Sequence, residues 1–301
     1  MNVPVLLVAF KRPHTTKRVI RKIALAKPEK LYIAVDGPRN MIEKKSVLLT
    51  IKIIESEINW PCEVKKNISK TNLGCRKRLS SAIKWFFDNE EFGIILEDDC
   101  LPSMDFFHFM EEMLIKYLNE SRVGIISGDC YLPKIVRPTN SYYFSNYSHI
   151  WGWGSWRRFW EKYDVDIEKY PVFLKDKIIE KKLVDPIQIL FWKRVFENVY
   201  NKKSDTWDHQ VTFCMWSTDS YCLIPTKNLV TNIGFGKGST RTTKNDIKLS
   251  IKCEKLDFPL KHPKNILNSR IFDSIVFYHH FFLNNISSAV LFNYFKSVFS
   301  K

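Results

Sequence analysis

The sequence lacks several patterns that mark common protein classes. Its seven cysteines are scattered and form no CxxC pair, which argues against a structural zinc site and a disulfide framework and favours a reducing compartment. Neither GxGxxG nor GxxxxGK[ST] follows the first apolar run, which argues against a dinucleotide-binding oxidoreductase and a P-loop nucleotidase. No basic n-region or small-residue cleavage site accompanies the apolar start, so we expect a cytoplasmic protein.

The composition is that of a folded, strongly basic protein. Of the 301 residues, 45% are hydrophobic and 26% charged, enough for one large domain or one domain with an appendage. The net charge of +15 attracts polyanions such as nucleic acid, anionic lipid or a phosphorylated substrate. The excess is concentrated late, with 12 Lys or Arg against 4 Asp or Glu in residues 227–301. No nucleic-acid-binding motif accompanies this charge, so we expect no nucleic-acid partner.

Apolar runs of strand length alternate with stretches of helical periodicity through the first 130 residues. This alternation predicts an α/β fold with a mostly parallel sheet that has helices on both faces. The predicted strands are 3–10, 31–35, 62–68, 92–96 and 123–126, and the predicted helices are 13–26, 42–58, 73–87 and 106–118.

Charged residues follow three of these strands, at the edge where parallel sheets bind ligands. Arg12 follows the first strand and Asp36 the second, while Glu97-Asp98-Asp99 closes the apolar run FGIIL. Three adjacent carboxylates repel one another unless solvent, bases or a metal ion relieves them. The triplet suits Mg²⁺ or Mn²⁺, yet an acidic helix start would look the same, and the residues alone leave both open.

Six stretches occur in one order: PVLLVAFKRP, YIAVDGPR, NLGCRKRLSSAIKWFF, GIILEDDCLPS, HIWGWGSW and TWDHQ. Together they resemble nucleotide-sugar glycosyltransferases of the GT-A fold, most closely a bacterial group whose core is similar to the β-1,2-N-acetylglucosaminyltransferases of N-glycan processing. The resemblance covers about residues 3–240 and implies a Rossmann-like catalytic domain, 1–250. Its nucleotide-sugar-binding half would be 1–130 and its acceptor-binding half 131–250, followed by a helical C-terminal extension, 251–301.

The resemblance also implies roles for individual residues on the donor side. Asp99 would be the direct ligand of Mn²⁺ (or Mg²⁺), and Asp98 and Glu97 would lie toward the ribose and the uracil. Asp36 matches an acid that contacts the nucleotide base, and Arg12 a basic residue of the donor site. The residues that would approach the diphosphate are Arg76 or Arg78.

The resemblance gives Asp208 the role of general base. Asp208 precedes a predicted helix, so it could instead be an ordinary helix-start acid, with Asp205 the better capping residue, and His209 is the alternative base. Arg241 stands where the bacterial group is expected to carry a histidine. An arginine there would pair with a phosphate of the donor but would not bind a metal.

Aromatic residues dominate the region from 142 to 216. Glycines separate the indoles of Trp151, Trp153 and Trp156, which predicts flat rings exposed to a cleft. Trp153 is therefore our candidate for stacking on a sugar of the donor. The alternative is that these tryptophans fill a core.

The last uncharged stretch, 274–295, approaches the length of a membrane span but is interrupted by histidines and asparagines. We expect one or two amphipathic helices there. They would make peripheral contact with the inner face of the cytoplasmic membrane or pack on the catalytic domain, and the two alternatives remain open.

These observations favour a metal-dependent inverting glycosyltransferase. It would move a sugar from a nucleotide diphosphate sugar, with UDP as the implied nucleotide, to a hydroxyl of a lipid-linked oligosaccharide or a surface glycan such as lipopolysaccharide or capsule. One alternative is a sugar-1-phosphate nucleotidyltransferase, although the turn AFKRPHTT lacks the glycines such enzymes use. Another is a non-enzymatic glycan- or polyanion-binding protein.

Overall fold

The structure is a computed structural model that describes residues 1–235 and 250–282. Within them an eight-stranded sheet has the order β3-β2-β1-β4-β8-β6-β9-β7, and β5 and β10 form a separate antiparallel pair. The strands are β1 Val5–Ala9, β2 Lys30–Val35, β3 Glu63–Ile68, β4 Phe92–Glu97, β5 Cys100–Pro102, β6 Val123–Ser127, β7 Tyr142–Ser145, β8 Trp153–Trp156, β9 Tyr221–Pro225 and β10 Val230–Asn232.

The helices connect the parallel strands in the first half of the chain and cluster together in the second half. A π-helical turn, Phe277–Phe282, continues the last of them. The helices are α1 Pro13–Ala26, α2 Met41–Glu57, α3 Gly74–Asn89, α4 Met104–Lys116, α5 Arg157–Trp160, α6 Tyr170–Lys175, α7 Ile178–Lys182, α8 Pro186–Tyr200, α9 His209–Ser217 and α10 Arg270–Val276.

The predicted fold class is confirmed. Strands β3, β2, β1 and β4 are parallel neighbours, and β6 and β9 are parallel to each other. Two strands run the other way, because β8 inserts antiparallel between β4 and β6 and β7 pairs antiparallel with β9. The sequence analysis did not predict β8, since its residues form a glycine-interrupted aromatic run and not the β-branched run of a buried strand.

Each face of the sheet has its own hydrophobic core. Along β1, Val5 and Leu7 point to the core that contains α1 and α4, while Leu6 and Val8 point to the core that contains α3. This alternation is what a strand buried on both faces requires, because successive side chains leave a strand in opposite directions. Helices therefore cover both faces, and the chemistry is confined to the edges of the sheet.

The expectation that Trp153 presents an exposed ring is wrong. Its side chain is 1% exposed and stacks on Trp207, with ring centroids 6.0 Å apart. The flanking glycines serve close packing: a Cβ on Gly152, which has φ +70°, would lie 2.8 Å from a methyl group of Val230. A Cβ on Gly154 would likewise lie 3.2 Å from the sulfur of Met110. The glycines let the indoles enter the core, so the packing alternative holds for Trp153.

The described part of the C-terminal extension packs against the α/β body. Leu256 is buried, and its N–H donates to Asp105 at 2.9 Å. Phe277 is buried too, with its ring 5.2 Å from that of Phe191 in α8. Residues 283–301, which include much of the predicted amphipathic tail, lie outside the described residues. Within the described part of the chain, no helix is both long enough and apolar enough to cross a membrane.

A buried carboxylate, Asp273, fastens α10 to the end of β7. It accepts hydrogen bonds from the Ser145 hydroxyl at 2.6 Å, the Asn146 N–H at 3.1 Å and the Asn268 amide at 3.1 Å. Burial raises the pKa of Asp273 to about 6, although these hydrogen bonds oppose the shift. The extension is therefore held by a fully engaged polar group as well as by apolar contacts.

Asp273→Ala should lower the free energy of unfolding by about 1 to 3 kcal/mol, because three donors, two of them buried, would lose their acceptor. Denaturant unfolding monitored by circular dichroism would measure this loss. Asp257→Ala, at an exposed position of the same extension, is the matched control and should change little. Equal effects of the two substitutions would contradict the anchoring role.

Asp273→Asn should reveal the raised pKa through pH dependence. The folded protein binds this proton more tightly than the unfolded chain does, so the contribution of Asp273 to stability falls as pH rises from about 4 to about 6. An asparagine at this position does not titrate, so it adds no such pH dependence to the free energy of unfolding. Between pH 5 and pH 7 the free energy of unfolding of the wild type should therefore fall by about 1 kcal/mol relative to that of Asp273→Asn. A constant difference across this range would contradict the shift.

Candidate active site at the carboxyl ends of β1, β2 and β4

The register of the parallel strands brings three strand ends to one level. Ala9 of β1 is paired with Val35 of β2, and Val8 is paired with Glu97 of β4. Residues that leave these strands therefore meet at the same edge of the sheet, as the sequence predicted. The side chains that follow the strands there are Phe10, Arg12, Asp36, Asp98 and Asp99.

Arg12 pairs with the acids that follow β4. The Phe10 N–H donates to Asp98 Oδ2 at 3.0 Å, and Arg12 Nη1 donates to Asp98 Oδ1 at 3.4 Å. The same guanidinium nitrogen donates to Asp99 Oδ2 and forms an ion pair with it. A single arginine thus contacts both aspartates and ties the turn after β1 to the turn after β4.

Two of the acids at the end of β4 hold their protons more tightly than ordinary carboxyl groups do. Burial, followed by the charge of Asp99, raises the pKa of Glu97 to about 8 and that of Asp98 to about 7. Arg12 acts in the opposite direction at both groups. The charge of Asp208 also raises the pKa of Glu97, which shows that the predicted base lies within electrostatic reach of the cluster.

Asp36 organises the loop that precedes α3. Its Oδ1 accepts the N–H groups of Gly37 and Leu73, each at 2.9 Å, and its Oδ2 accepts the Asn72 amide at 2.9 Å. Asn72 also donates to the Gly37 carbonyl at 2.9 Å, so the acid and the amide hold the loop together. Asn72 lines the same cavity as Asp36, and no sequence pattern marks it as a site residue.

The two arginines proposed for the diphosphate point to different partners. Arg78 is 4% exposed, donates to Asn67 Oδ1 at 3.1 Å and lines the cavity that contains Asp98. Arg76 instead donates to the Val165 carbonyl at 2.7 Å and pairs with Asp166 at 2.8 Å. Of the two, only Arg78 borders the cavity at the strand ends.

This donor-side cavity has a volume of about 260 Å³. A larger groove of about 790 Å³ runs along the outside of α3, but none of the predicted site residues lines it. The charged and polar residues that line the donor-side cavity are Arg12, Asp36, Arg39, Asn72, Arg78, Glu97, Asp98 and Asp205.

Asp208 itself is the N-cap of α9, which corrects the expectation that Asp205 is the capping residue. Asp208 Oδ1 accepts the His209 N–H at 2.9 Å and also the Thr206 hydroxyl. The helix begins one residue after Asp208 and not near Asp205, so the cap lies at the later acid. Both described hydrogen bonds go to Oδ1, which leaves Oδ2 as the oxygen able to take a proton.

Buried contacts fix the turn that carries Asp208. Trp207 is buried, and its carbonyl accepts the Tyr163 hydroxyl at 2.9 Å. The Gln210 amide donates to the Val165 carbonyl at 3.1 Å. Residues on both sides of Asp208 are therefore anchored to the 163–165 loop, and the carboxylate is held in a defined position.

The acid cluster fits a divalent metal that takes part of its coordination from a substrate. Among the described residues, no three His, Cys, Asp or Glu side chains converge to hold an ion by themselves. Mg²⁺ and Mn²⁺ commonly use one or two carboxylates and complete their shell with phosphate oxygens and water. Asp98 and Asp99 supply that donor set, with Arg12 as the cation that contacts them in this structure.

A further residue at this edge of the sheet is Gly234. The Asp99 carboxylate packs directly against it and leaves no room for a Cβ. The preceding N–H, of Ile233, donates to the Asp99 carbonyl at 2.8 Å. The chain after β10 thus covers the acid cluster. Arg241, together with most of the glycine-rich turn that leads to it, lies outside the described residues.

Compared with protein-family models and with curated proteins, the sequence matches none. A mannosyltransferase from Pyrobaculum calidifontis in complex with GDP-Man and Mn²⁺ is similar in structure, at 14% identity and TM-score 0.37, over 54% of this chain and 47% of that one. This chain therefore spans less than half of that protein's length.

Two other solved structures are similarly distant. A cytidylyltransferase from Leptospira borgpetersenii is 15% identical at TM-score 0.37, over 68% of this chain and 74% of that one. An apo UDP-glucose pyrophosphorylase is 11% identical at TM-score 0.38, over 77% and 93%. With TM-scores this low, the chemistry of the present chain has to be inferred from its own side chains.

Asp99→Asn should weaken the binding of UDP with Mn²⁺ by at least roughly 10-fold while the fold survives, measured by calorimetry and thermal unfolding. The charge of Asp99 raises the pKa of Glu97 and of Asp98, so removing it relieves repulsion, and Arg12 keeps Asp98 as a partner. The melting temperature should stay the same or rise.

The matched control for this substitution is Asp88→Asn, which removes an exposed acid from α3. It should leave the affinity for UDP with Mn²⁺ unchanged. Normal, Mn²⁺-dependent UDP binding by Asp99→Asn would exclude Asp99 as a metal ligand.

Proposed function

We propose that this protein is a metal-dependent, inverting glycosyltransferase that uses a nucleotide diphosphate sugar, with UDP as the nucleotide. The observation that carries the proposal is the cluster Glu97, Asp98 and Asp99 at the end of β4, in which Asp98 is buried, the other two are partly buried, and Arg12 is the cation in contact with both aspartates. Such a cluster is costly unless a cationic ligand uses it. The metal ion of a metal–diphosphate complex would supply that positive charge.

The donor would lie along the carboxyl edge of the sheet. Asp36 and Asn72 line the cavity and offer acceptor oxygens for the edge of a nucleotide base. Arg78 borders the same cavity and adds positive charge for phosphate oxygens. Acceptor oxygens, an arginine and the acids at the end of β4 thus line one cavity, which suits a nucleotide that extends from base to diphosphate.

In the transfer step, Asp208 would take the proton of the acceptor hydroxyl. The hydroxyl oxygen forms a bond to the anomeric carbon as the bond from that carbon to the diphosphate oxygen breaks on the opposite face. The electron pair of the broken bond leaves with the nucleotide diphosphate. Arg12 would stabilise the negative charge that develops there, and a bound divalent metal would supply further positive charge to the same oxygens.

The acceptor is proposed to be a hydroxyl of a surface glycan or of a lipid-linked oligosaccharide. The basic excess of the chain supports this, since a net charge of +15 attracts the protein to an anionic membrane surface. Peripheral contact with the inner face of the cytoplasmic membrane, through the C-terminal region, remains part of the proposal.

A sugar-1-phosphate nucleotidyltransferase is the second candidate, because it too would use a carboxylate-bound metal beside a sheet edge. The turn after β1 argues against it: Lys11, Arg12 and Pro13 lead directly into α1, with no glycine-rich loop to wrap a triphosphate. A phosphorylated substrate would still be attracted to this edge, so the two reactions must be separated by their products.

The products of a nucleotide-sugar panel separate the candidates. Incubation of UDP-, GDP- and CMP-sugars with Mn²⁺, followed by chromatography, should show slow release of the free nucleotide diphosphate from a UDP-sugar, abolished by EDTA. Addition of pyrophosphate should yield no UTP and no sugar 1-phosphate. Formation of UTP would instead establish the nucleotidyltransferase, and no turnover or binding of any donor would favour a non-enzymatic binding protein.

Asp208→Asn should reduce transfer by a factor on the order of 10² to 10⁴, the usual worth of a positioned base. Binding of UDP with Mn²⁺ should change little, since the base acts on the acceptor. The loss should appear in kcat and in kcat/KM together, because the proton moves in the transition state.

A purely structural role for Asp208 gives a different result. Asparagine caps a helix nearly as well as aspartate, so stability and transfer would both be retained. Full transfer by Asp208→Asn together with its loss in His209→Ala would identify His209 as the base.

A further inference from the structure

A second cavity, of about 170 Å³, lies beside Asp208 and has the C-terminal extension as one wall. Helix α9 provides one side, the loop from 148 to 151 another, and Trp192 of α8 a third. His280 and Phe281 of the π-helical turn complete it. These last two residues belong to the part of the chain that shares no resemblance with glycosyltransferases.

His149 is a buried polar group without a hydrogen bond in this cavity. Its side chain is 2% exposed, and neither ring nitrogen has a hydrogen-bond partner among the described residues. The backbone of Asp129 lies near enough to favour the protonated ring slightly, but the contact does not complete a hydrogen bond. An unpaired buried group of this kind costs about 1 to 3 kcal/mol, which a ligand hydroxyl would recover.

Aromatic faces surround this histidine. Its ring lies 4.5 Å from the ring of Tyr131, which is stacked on His280 at 3.5 Å and 12°. The indole of Trp151 meets the Tyr131 ring edge-on at 5.6 Å and is itself half-buried. Flat rings beside an unpaired hydrogen-bonding group suit a ligand that has apolar C–H faces and hydroxyl edges.

The charge and size of the cavity further restrict the class of ligand that can bind there. The described lining contains no lysine or arginine, and its acid is Asp208. Burial lowers the pKa of His149 to about 3 and that of His280 to about 4, so both rings are neutral at pH 7. A volume of about 170 Å³ is below the roughly 300 Å³ at which pockets begin to enclose whole drug-sized molecules. One uncharged ring fits, whereas an anionic ring would face Asp208 with no lysine or arginine among the described lining residues to offset it.

We propose that this cavity is the subsite for the reacting sugar ring of the acceptor, that it takes a neutral sugar, and that the π-helical turn of the extension determines which sugar enters. His149 would hydrogen-bond a hydroxyl of that ring, beside the hydroxyl that Asp208 deprotonates. The inference rests on the proposed glycosyl transfer, and it makes the C-terminal extension a specificity element.

His149→Phe separates a ligand role from a structural one. Phenylalanine keeps the ring contact with Tyr131 and removes an unpaired polar group, so the melting temperature should stay the same or rise. The probes are the methyl glycosides of glucose, galactose, mannose and N-acetylglucosamine, with methyl glucuronide as the charged counterpart. Binding would be measured by saturation-transfer NMR and calorimetry, with UDP and Mn²⁺ present.

At least one neutral glycoside should bind the wild type, and methyl glucuronide should bind at least roughly 10-fold more weakly. His149→Phe should weaken the binding of the neutral glycoside by a similar factor. The control His108→Phe, which replaces an exposed histidine of α4, should leave that binding unchanged. If His149→Phe does not fold, Trp151→Ala serves as the second test, and this variant should also bind the neutral glycoside more weakly than the wild type does.

Three results would overturn the inference: no neutral glycoside binds, the glucuronide binds as well as the neutral sugars, or the cavity variants bind like the wild type. Binding of UDP with Mn²⁺, measured on the same samples, distinguishes the two levels of the proposal. If UDP binds and the glycosides do not, the subsite fails and the donor site stands. If the glycosides bind through His149 and UDP does not, the sugar site stands and the proposed transfer fails.

Discussion

Arg12 holds two neighbouring carboxylates that would otherwise repel one another at the edge of the sheet. Its contacts with Asp98 and Asp99 join the turn after β1 to the turn after β4. Gly234 packs against the Asp99 carboxylate as well. The strand register sets the level at which these groups meet, and both faces of the sheet are filled by apolar cores. The polar chemistry of the protein is therefore concentrated where three strands end.

Much of the N-terminal fold follows from local patterns. The prediction of a helix at 13–26 agrees with α1 residue for residue, and the strands β1 to β4 lie within two residues of their predicted bounds. These elements combine strong periodicity with clear ends, so short-range physics decides them. The order of the sheet does not follow in this way, because β8 pairs with β4 some 60 residues before it and with β6 some 30 residues before it.

The candidate site was predictable where a residue's role depends on its place at a strand end. Asp98 was recognisable because the acid triplet to which it belongs directly follows an apolar run. Trp153 was not, since the same letters WGWG suit either an exposed platform or indoles packed through glycine gaps, and only the neighbours Val230 and Met110 decide between them. Asn72 and His149 also escaped prediction. Their significance comes from a cavity wall and from burial without a partner, neither of which sequence spacing reveals.

The insertion of β8 affects which strand edges are exposed while the chain is being synthesised. Strands β1 to β4 are complete once residue 97 has been made, but the partner of β4 on its open side, Trp153–Trp156, follows more than 50 residues later. Until then a growing chain has an apolar strand, Ile94 to Leu96, with an unsatisfied hydrogen-bonding edge. Edges of this kind pair readily with other chains. The strand that carries Trp153 thus protects the nascent sheet against self-association as well as filling its core.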